Sequence, residues 1–307
     1  MPKKKLILDV DTGTDDAVAI MLAALHPDLE LVACTTVNGN QSIEHTTDNT
    51  LRTLDHIGRG EIPVHAGLSR PIARTDFPIP RGVRSPGVHF VEMPLRPARS
   101  KAKVPDAVEF LIETYRNPSD RITLVPVGPL SNIASALALF PKLAENVPEV
   151  IIMGGGHAVA NVTPAAEFNV WADPEAARRV CMSGLDLTMV GLDVTHQALF
   201  TSDDTEAVRG RGVAGRLTAE LVEFYARAHP DRPGTPIHDA VAVAQVIDPG
   251  LLSLEHCHVE IDCGPVSRGR TLVDRNHVTG EEPNVHVATG IDPRFTRWLA
   301  ERIASLG

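Results

Sequence analysis

The amino-acid sequence predicts an α/β fold: an open, mainly parallel Rossmann-like sheet flanked by helices, with an additional small antiparallel hairpin element near the C-terminus. Two observations carry the parallel part. Up to Leu192, short apolar runs rich in β-branched residues alternate with stretches of helical period, and those runs lack the in–out alternation of half-exposed strands, so they suit strands buried on both faces. A third observation, alternating apolar and polar residues beyond Cys257, carries the hairpin.

In chain order, Leu6–Val10, Leu31–Val37, Ile122–Val127, Val150–Met153 and Leu187–Leu192 read as strands. Asp15–Leu25, Ile43–Ile57, Ala107–Tyr115, Leu130–Leu139 and Pro174–Met182 read as helices. Several are opened by Asp, Ser or Pro, residues that satisfy or dispense with the free N–H groups of a helix start. Past Leu192, helical stretches at Asp204–Arg209 and Val213–His229 precede a Pro- and Gly-rich break, Pro230–Pro236, and a helix from His238 to Val246. Cys257–Ile261, Arg270–Asp274 and Asn284–Ala288 follow as antiparallel strands, and Pro293–Ile303 as a last helix. Ser69–Lys103, rich in Pro and Arg without a period, reads as a long loop of the kind that forms lids or binding loops. No repeat or linker divides the chain, so one domain spanning 1–307 is expected.

Composition excludes several classes. The 29 Lys and Arg against 39 Asp and Glu leave a net charge of −10, which gives no positive field for nucleic acid. With 43 % hydrophobic and 22 % charged residues the chain can bury a sizeable core. Cys34, Cys181, Cys257 and Cys263 show neither a zinc nor a disulfide spacing and are read as reduced core thiols. Only Leu6-Ile7-Leu8 precedes the first Asp, too little for a signal peptide, and the longest apolar run, Ala17 to Leu25, is under half a membrane span. A cytoplasmic protein with no membrane partner is the expectation.

The segment Leu6-Ile7-Leu8-Asp9-Val10-Asp11-Thr12-Gly13-Thr14-Asp15-Asp16-Ala17 carries most of the functional signal. A strand delivers Asp9 and Asp11 at its carboxyl end, on one side by alternation, and Gly13 permits a tight turn into a helix that begins with Asp15 and Asp16. Helix capping accounts for Asp15 and Asp16 alone. Four carboxylates in one small volume repel one another strongly unless a cation or protons compensate, and oxygen ligands of this kind suit calcium or magnesium. An EF-hand is excluded, since Thr14 stands where its Gly belongs and Ile20 where its Glu belongs. A haloacid-dehalogenase-type phosphatase also opens with a strand followed by Asp-x-Asp, but Gly13 departs from its pattern and no convincing second acidic segment follows.

The same segment resembles the signature of the nucleoside hydrolases, Asp-x-Asp-Pro-Gly-x-Asp-Asp-Ala, at every position but Thr12, which replaces Pro. The likeness extends from about Leu6 to about Ala288, through Val37-Asn38-Gly39-Asn40, Leu124 to Asn132, Met153 to Gly156 with Asn161, Ala166-Glu167-Phe168-Asn169, and Pro236-Ile237-His238-Asp239-Ala240. Arg270 to Asp274 and Pro283-Asn284-Val285 resemble the family's carboxyl-terminal hairpin. The resemblance implies the nucleoside hydrolase fold and calcium-dependent cleavage of ribonucleosides of the inosine-uridine preferring type, in nucleoside salvage by a homodimer or homotetramer. It assigns calcium to Asp11, Asp16, Asp239 and the carbonyl of Val127, with Asp11 as the base and His238 as the acid that assists the leaving nucleobase. Asp15, Asn40, Asn161, Glu167 and Asn169 would hold the ribose, Phe168 would line the site, and Asp9 would support the metal shell.

Arg84-Ser85-Pro86-Gly87-Val88-His89-Phe90 departs from the family's segment near the base, which leaves His89 a candidate and base preference open. Phe224, Tyr225 and His229 lie at helical spacing, consistent with closing over the base or with core packing. A non-catalytic, calcium-dependent nucleoside-binding protein would carry the same ligands.

Overall fold

A computed structural model describes residues 2–75 and 88–306. Its strands are β1 (Lys4–Val10), β2 (Leu29–Thr36), β3 (Val64–Ala66), β4 (Ile122–Pro126), β5 (Val150–Met153), β6 (Leu187–Val190), β7 (Leu199–Phe200), β8 (Thr235–Pro236), β9 (Leu252–Ile261), β10 (Thr271–Asp274) and β11 (Val285–Ile291). The helices are α1 (Asp15–Leu25), α2 (Ile43–His56), α3 (Ala107–Arg116), α4 (Ser131–Leu139), α5 (Leu143–Asn146), α6 (Phe168–Ala172), α7 (Pro174–Cys181), α8 (Leu192–Thr195), α9 (Ser202–Arg209), α10 (Gly212–Ala228), α11 (His238–Ile247) and α12 (Phe295–Ser305).

Nine strands form one sheet in the order β10-β9-β11-β6-β5-β4-β1-β2-β3. Pairing is parallel from β3 across to β11, and β9 runs antiparallel to both β11 and β10. The predicted hairpin is therefore no appendage: β11 pairs parallel with β6 and joins the hairpin strands to the main sheet. β7 and β8 make a separate two-stranded ribbon.

The apolar character of β1 follows from burial on both faces. Leu6, Leu8 and Val10 pack into one hydrophobic cluster with α1, α10, α11 and α12. Ile7, between them, packs into the other with α3, α4 and α7. Alternate residues of one strand thus feed opposite cores, so no polar face is left to show in the sequence. Cys34, Cys181 and Cys257 are buried free thiols as expected, while Cys263 is only half-buried. Among the described residues no helix is long and apolar enough to cross a membrane.

The order of strands locates the site. From β1 the chain winds outward to β2 and β3, then returns to β4 on the other side of β1 and continues to β5 and β6. The gap between β1 and β4 is a topological switch point, where the following loops diverge and leave a crevice at the carboxyl ends of the strands. Asp9 stands in register with Thr35 of β2 and Pro126 of β4, and its carbonyl accepts from Val127 N at 2.8 Å.

Helix α2 fixes the crevice loops through Asn49. Its Nδ2 donates to the carbonyls of Thr12 (3.0 Å) and Val91 (3.2 Å), and its Oδ1 accepts from Met93 N at 2.8 Å. Thr12, in the position of the family's Pro, is buried with its hydroxyl 2.7 Å from that of Thr50. Asn49→Leu strands two buried backbone groups and one part-buried one, so unfolding in urea should show a loss of about 2–4 kcal/mol; an unchanged midpoint would show that the contacts carry no stability.

Candidate active site

The turn after β1 is closed by Asp16, whose carboxylate accepts from the backbone N–H groups of Asp11 (3.1 Å) and Gly13 (2.9 Å). The same carboxylate sits at the positive end of α1. Asp11 Oδ2 accepts from Asn40 N at 2.6 Å, in the loop after β2. The Asp11 carboxylate is boxed by two glycines: a Cβ at Gly39 would lie 2.0 Å from Oδ2, and one at Gly128 would lie 2.9 Å from Oδ1. Asp15 reaches across the crevice and accepts from the backbone N–H groups of His238 and Asp239, the first two residues of α11.

Carboxylate oxygens of Asp15, Asp16 and Asp239 come within 4.8 Å of one another. Asp11 borders this trio and interacts directly with Asp16. Burial and mutual repulsion push Asp11 and Asp239 well above the ordinary carboxylate range. Burial, with the charge of Asp16, pushes Asp15 up to about 7. A pocket of hard oxygen donors whose charges lack a counter-charge fits a divalent cation. The Val127 carbonyl faces Asn169, whose Nδ2 donates to it at 2.7 Å; its second lone pair stays available.

Asp9 departs from one expectation, that strand alternation sets it on the same side as Asp11. β1 ends at Val10, and the turn beyond it re-aims Asp11, so strand alternation no longer relates the two. Asp9 is fully buried, accepts from Thr35 Oγ1 (2.5 Å) and Asn132 Nδ2 (2.7 Å), and is raised to about 7 by burial. It braces β1, β2 and α4 beneath the site, and Asp239 is the fourth carboxylate of the cluster. So enclosed, Asp9 cannot act as the exposed nucleophile a phosphatase mechanism requires.

Above the acids lies a cavity of about 370 Å³. Asp15, Asn40, Asn161, Glu167, Phe168, Asn169, Val127, His238 and Asp239 all line it, although they come from six separate stretches of chain. Glu167 also caps α6: Oε1 accepts from Asn169 N (2.8 Å), and Oε2 from Gly155 N (2.8 Å) and Val170 N (3.2 Å). Asn169 Nδ2 donates to Met153 O at 3.0 Å as well as to Val127. The cleft thus alternates acceptors and amides, a donor set suited to a polyol.

The outer wall is formed by α10 and the segment after it. Tyr225 and His229 line the cavity with their rings stacked 4.4 Å apart, and His89 lines it from the other side. Phe224 instead stacks on Phe90 at 3.7 Å and packs the helix down. Arg84-Ser85-Pro86-Gly87, at the departure from the family pattern, lies outside the described residues, as do residues 76–83 of the long loop.

Two lining or supporting groups escaped the sequence reading. Arg232 lines the cavity and donates to the Tyr225 hydroxyl at 3.0 Å. Thr195, buried at the end of α8, bonds His238 Nδ1 at 2.7 Å. Neither lies in a motif, and both act through partners distant in the sequence or across a turn.

A parallel sheet with an acidic, hydroxyl-matching cleft at its switch point defines an α/β enzyme class. The family follows from comparison with known proteins. A family model described as inosine-uridine preferring nucleoside hydrolase matches residues 6–297. The pyrimidine-specific ribonucleoside hydrolase RihA of Shewanella sp. (strain ANA-3) is 40% identical over 98% of this chain and 96% of its own. The pyrimidine-specific ribonucleoside hydrolase RihB of Escherichia coli (strain SE11) is 38% identical over 98% and 97%. The structure of a purine-preferring ribonucleoside hydrolase from Gardnerella vaginalis superposes with a TM-score of 0.90, at 33% identity over 99% of each chain. The chain belongs to the inosine-uridine preferring nucleoside hydrolase family, a family of N-glycosyl hydrolases.

Asp9 and Asp15 hold protons up to about pH 7 in the folded protein but release them near pH 4 when unfolded. Between those values the folded state binds more protons, so stability falls as pH rises. The thermal midpoint of chelated protein should therefore drop from pH 5 to pH 8, and a divalent cation that binds the acidic cluster should raise it more at pH 8; a midpoint rising with pH would contradict this. Gly39→Ala forces the Asp11 carboxylate aside; if Asp11 acts as a general base, turnover falls roughly 100-fold or more, with circular dichroism unchanged. Full activity would show that Asp11 need not sit there.

Proposed function

We propose that the protein is a calcium-dependent ribonucleoside hydrolase that cleaves the N-glycosidic bond to give ribose and a free nucleobase, in nucleoside salvage. The observation that carries this reading is an acidic trio, Asp15, Asp16 and Asp239, of which Asp15 and Asp239 line the same cavity as Asn40, Asn161, Glu167 and Asn169. Curated relatives named for pyrimidine nucleosides, at 38–40% identity, support pyrimidine ribonucleosides as the preferred substrates. We place the enzyme in the cytoplasm as a homo-oligomer, following the family resemblance.

Asp11, Asp16 and Asp239, with the Val127 carbonyl and the neighbouring Asp15, would hold the cation. Bound there, calcium would supply positive charge that makes a water more acidic. Asp11 takes the proton of the attacking water, as the C1′–N bond breaks and the C1′–O bond forms. Asp15, Asn40, Asn161, Glu167 and Asn169 hold the ribose hydroxyls and orient C1′ as oxocarbenium character develops. The base leaves with the bonding electron pair, and His238 hydrogen-bonds it. Burial, with His196, His89 and Arg232 nearby, lowers the His238 pKa to about 3, so the ring acts as a neutral hydrogen-bond donor. Phe168 walls the sugar side of the cavity.

A reducing-sugar assay with uridine, cytidine, inosine, adenosine and their 2′-deoxy forms tests the reading. Release of ribose that stops on chelation, favours uridine and cytidine, and falls by roughly 100-fold or more on deoxy substrates is expected, since a missing hydroxyl leaves buried polar groups unpaired. Asp11→Ala should lose turnover by roughly 10²- to 10⁴-fold. Nucleoside binding by calorimetry without any turnover would favour the non-catalytic binding protein instead.

A further inference from the structure

Resting on the reading of His238 as the group that meets the leaving base, we propose that Thr195 is a positioning residue that fixes the tautomer and orientation of the His238 ring. The hydroxyl of Thr195 is buried and lies 2.7 Å from His238 Nδ1. It has no other hydrogen-bond partner among the described residues. A buried hydroxyl hydrogen needs an acceptor, and the imidazole nitrogen is the one within reach, so the hydroxyl donates and Nδ1 accepts. In a neutral ring the proton then resides on Nε2. With Nδ1 committed to Thr195 and His238 lining the cavity, Nε2–H is the donor left for the substrate.

The scaffold supports this assignment. Thr195 closes α8, the short helix directly after β6, and its backbone N donates to Gly191 O at 3.1 Å. The same helix carries Asp193, whose carboxylate accepts from His157 N (2.6 Å) and Ala158 N (2.9 Å) in the loop leading to Asn161. One rigid turn thereby holds a donor for the leaving base on one side and a ribose-facing loop on the other. Removing the Thr195 hydroxyl lets Nδ1–H and Nε2–H tautomers exchange and the ring turn, while the sugar contacts stay in place.

The test compares Thr195→Val, Thr195→Ser and His238→Ala on uridine and on 4-nitrophenyl β-D-ribofuranoside, whose phenolate departs without help from a donor. Thr195→Val should lower kcat on uridine by roughly 10- to 100-fold, within the range of a lost catalytic hydrogen bond, with little change in KM. It should spare the nitrophenyl riboside, and Thr195→Ser should restore uridine turnover. Equal losses on both substrates, or wild-type turnover of uridine by Thr195→Val, would overturn the proposal while His238→Ala still shows the uridine-selective defect. If His238→Ala turns over uridine normally, the reading beneath it fails as well. Histidine ¹⁵N spectra of the wild-type protein give an answer independent of variant folding: His238 should show a protonated Nε2 and an unprotonated Nδ1, and the reverse pattern overturns the assignment.

Discussion

Mutual repulsion among buried carboxylates is the constraint around which this molecule is built. Asp11, Asp15, Asp16 and Asp239 are each desolvated; Asp16 raises the proton affinity of Asp11 and Asp15, and Asp15, Asp16 and Asp11 raise that of Asp239. Left in water they would separate, and within the fold they are held by backbone N–H groups: Asp11 and Gly13 for Asp16, Asn40 for Asp11, His238 and Asp239 for Asp15. These are fixed dipoles that oppose the repulsion without neutralising it. The residual negative potential suits a divalent cation and, in the proposed reaction, positive charge developing on a sugar.

The sheet order supplies the room for this arrangement. Because β1 sits at the switch point, the loops after β1, β2 and β4 spread apart, and their backbone groups point into a shared space. Asp9, bonded to Thr35 and Asn132 beneath that space, ties the floor together. Gly39 and Gly128 leave the Asp11 carboxylate just enough volume. The site is thus tightly bonded where charge is concentrated, and its outer wall is built from Tyr225 of α10 stacked on His229 just beyond it.

Much of this was legible in the sequence, because strands buried on two faces and helices with acidic starts leave strong local signals. Asp15–Leu25 and Val150–Met153 run between the expected residues, and most other elements differ by one or two. The first loop, the Glu167–Asn169 pair and the His238–Asp239 pair were visible as motifs, and the fold brings them to one cavity. What local reading misplaced was Asp9, because alternation holds only while the strand continues, and β1 stops before Asp11. What it missed was Thr195, Arg232 and the bracing by Asn49. Each depends on a contact made only when distant segments meet, and Thr and Arg carry no pattern that announces a partner 43 residues or seven residues away. The short β3 and the joining of β11 to β6 escaped for the same reason.

The bond from Asp15 to the start of α11 also has a meaning in time. Asp15 leaves the ribosome more than two hundred residues before the N–H groups that receive it. At synthesis rates of about 5–20 residues per second, the interval is on the order of ten to forty seconds. Through that interval the first loop holds its acids without the groups that complete their pocket, and a nascent chain that ends after β6 lacks Asp239 and the N–H groups that face Asp15. The carboxylate pocket is in this sense completed late, once α11 has been delivered to the sheet.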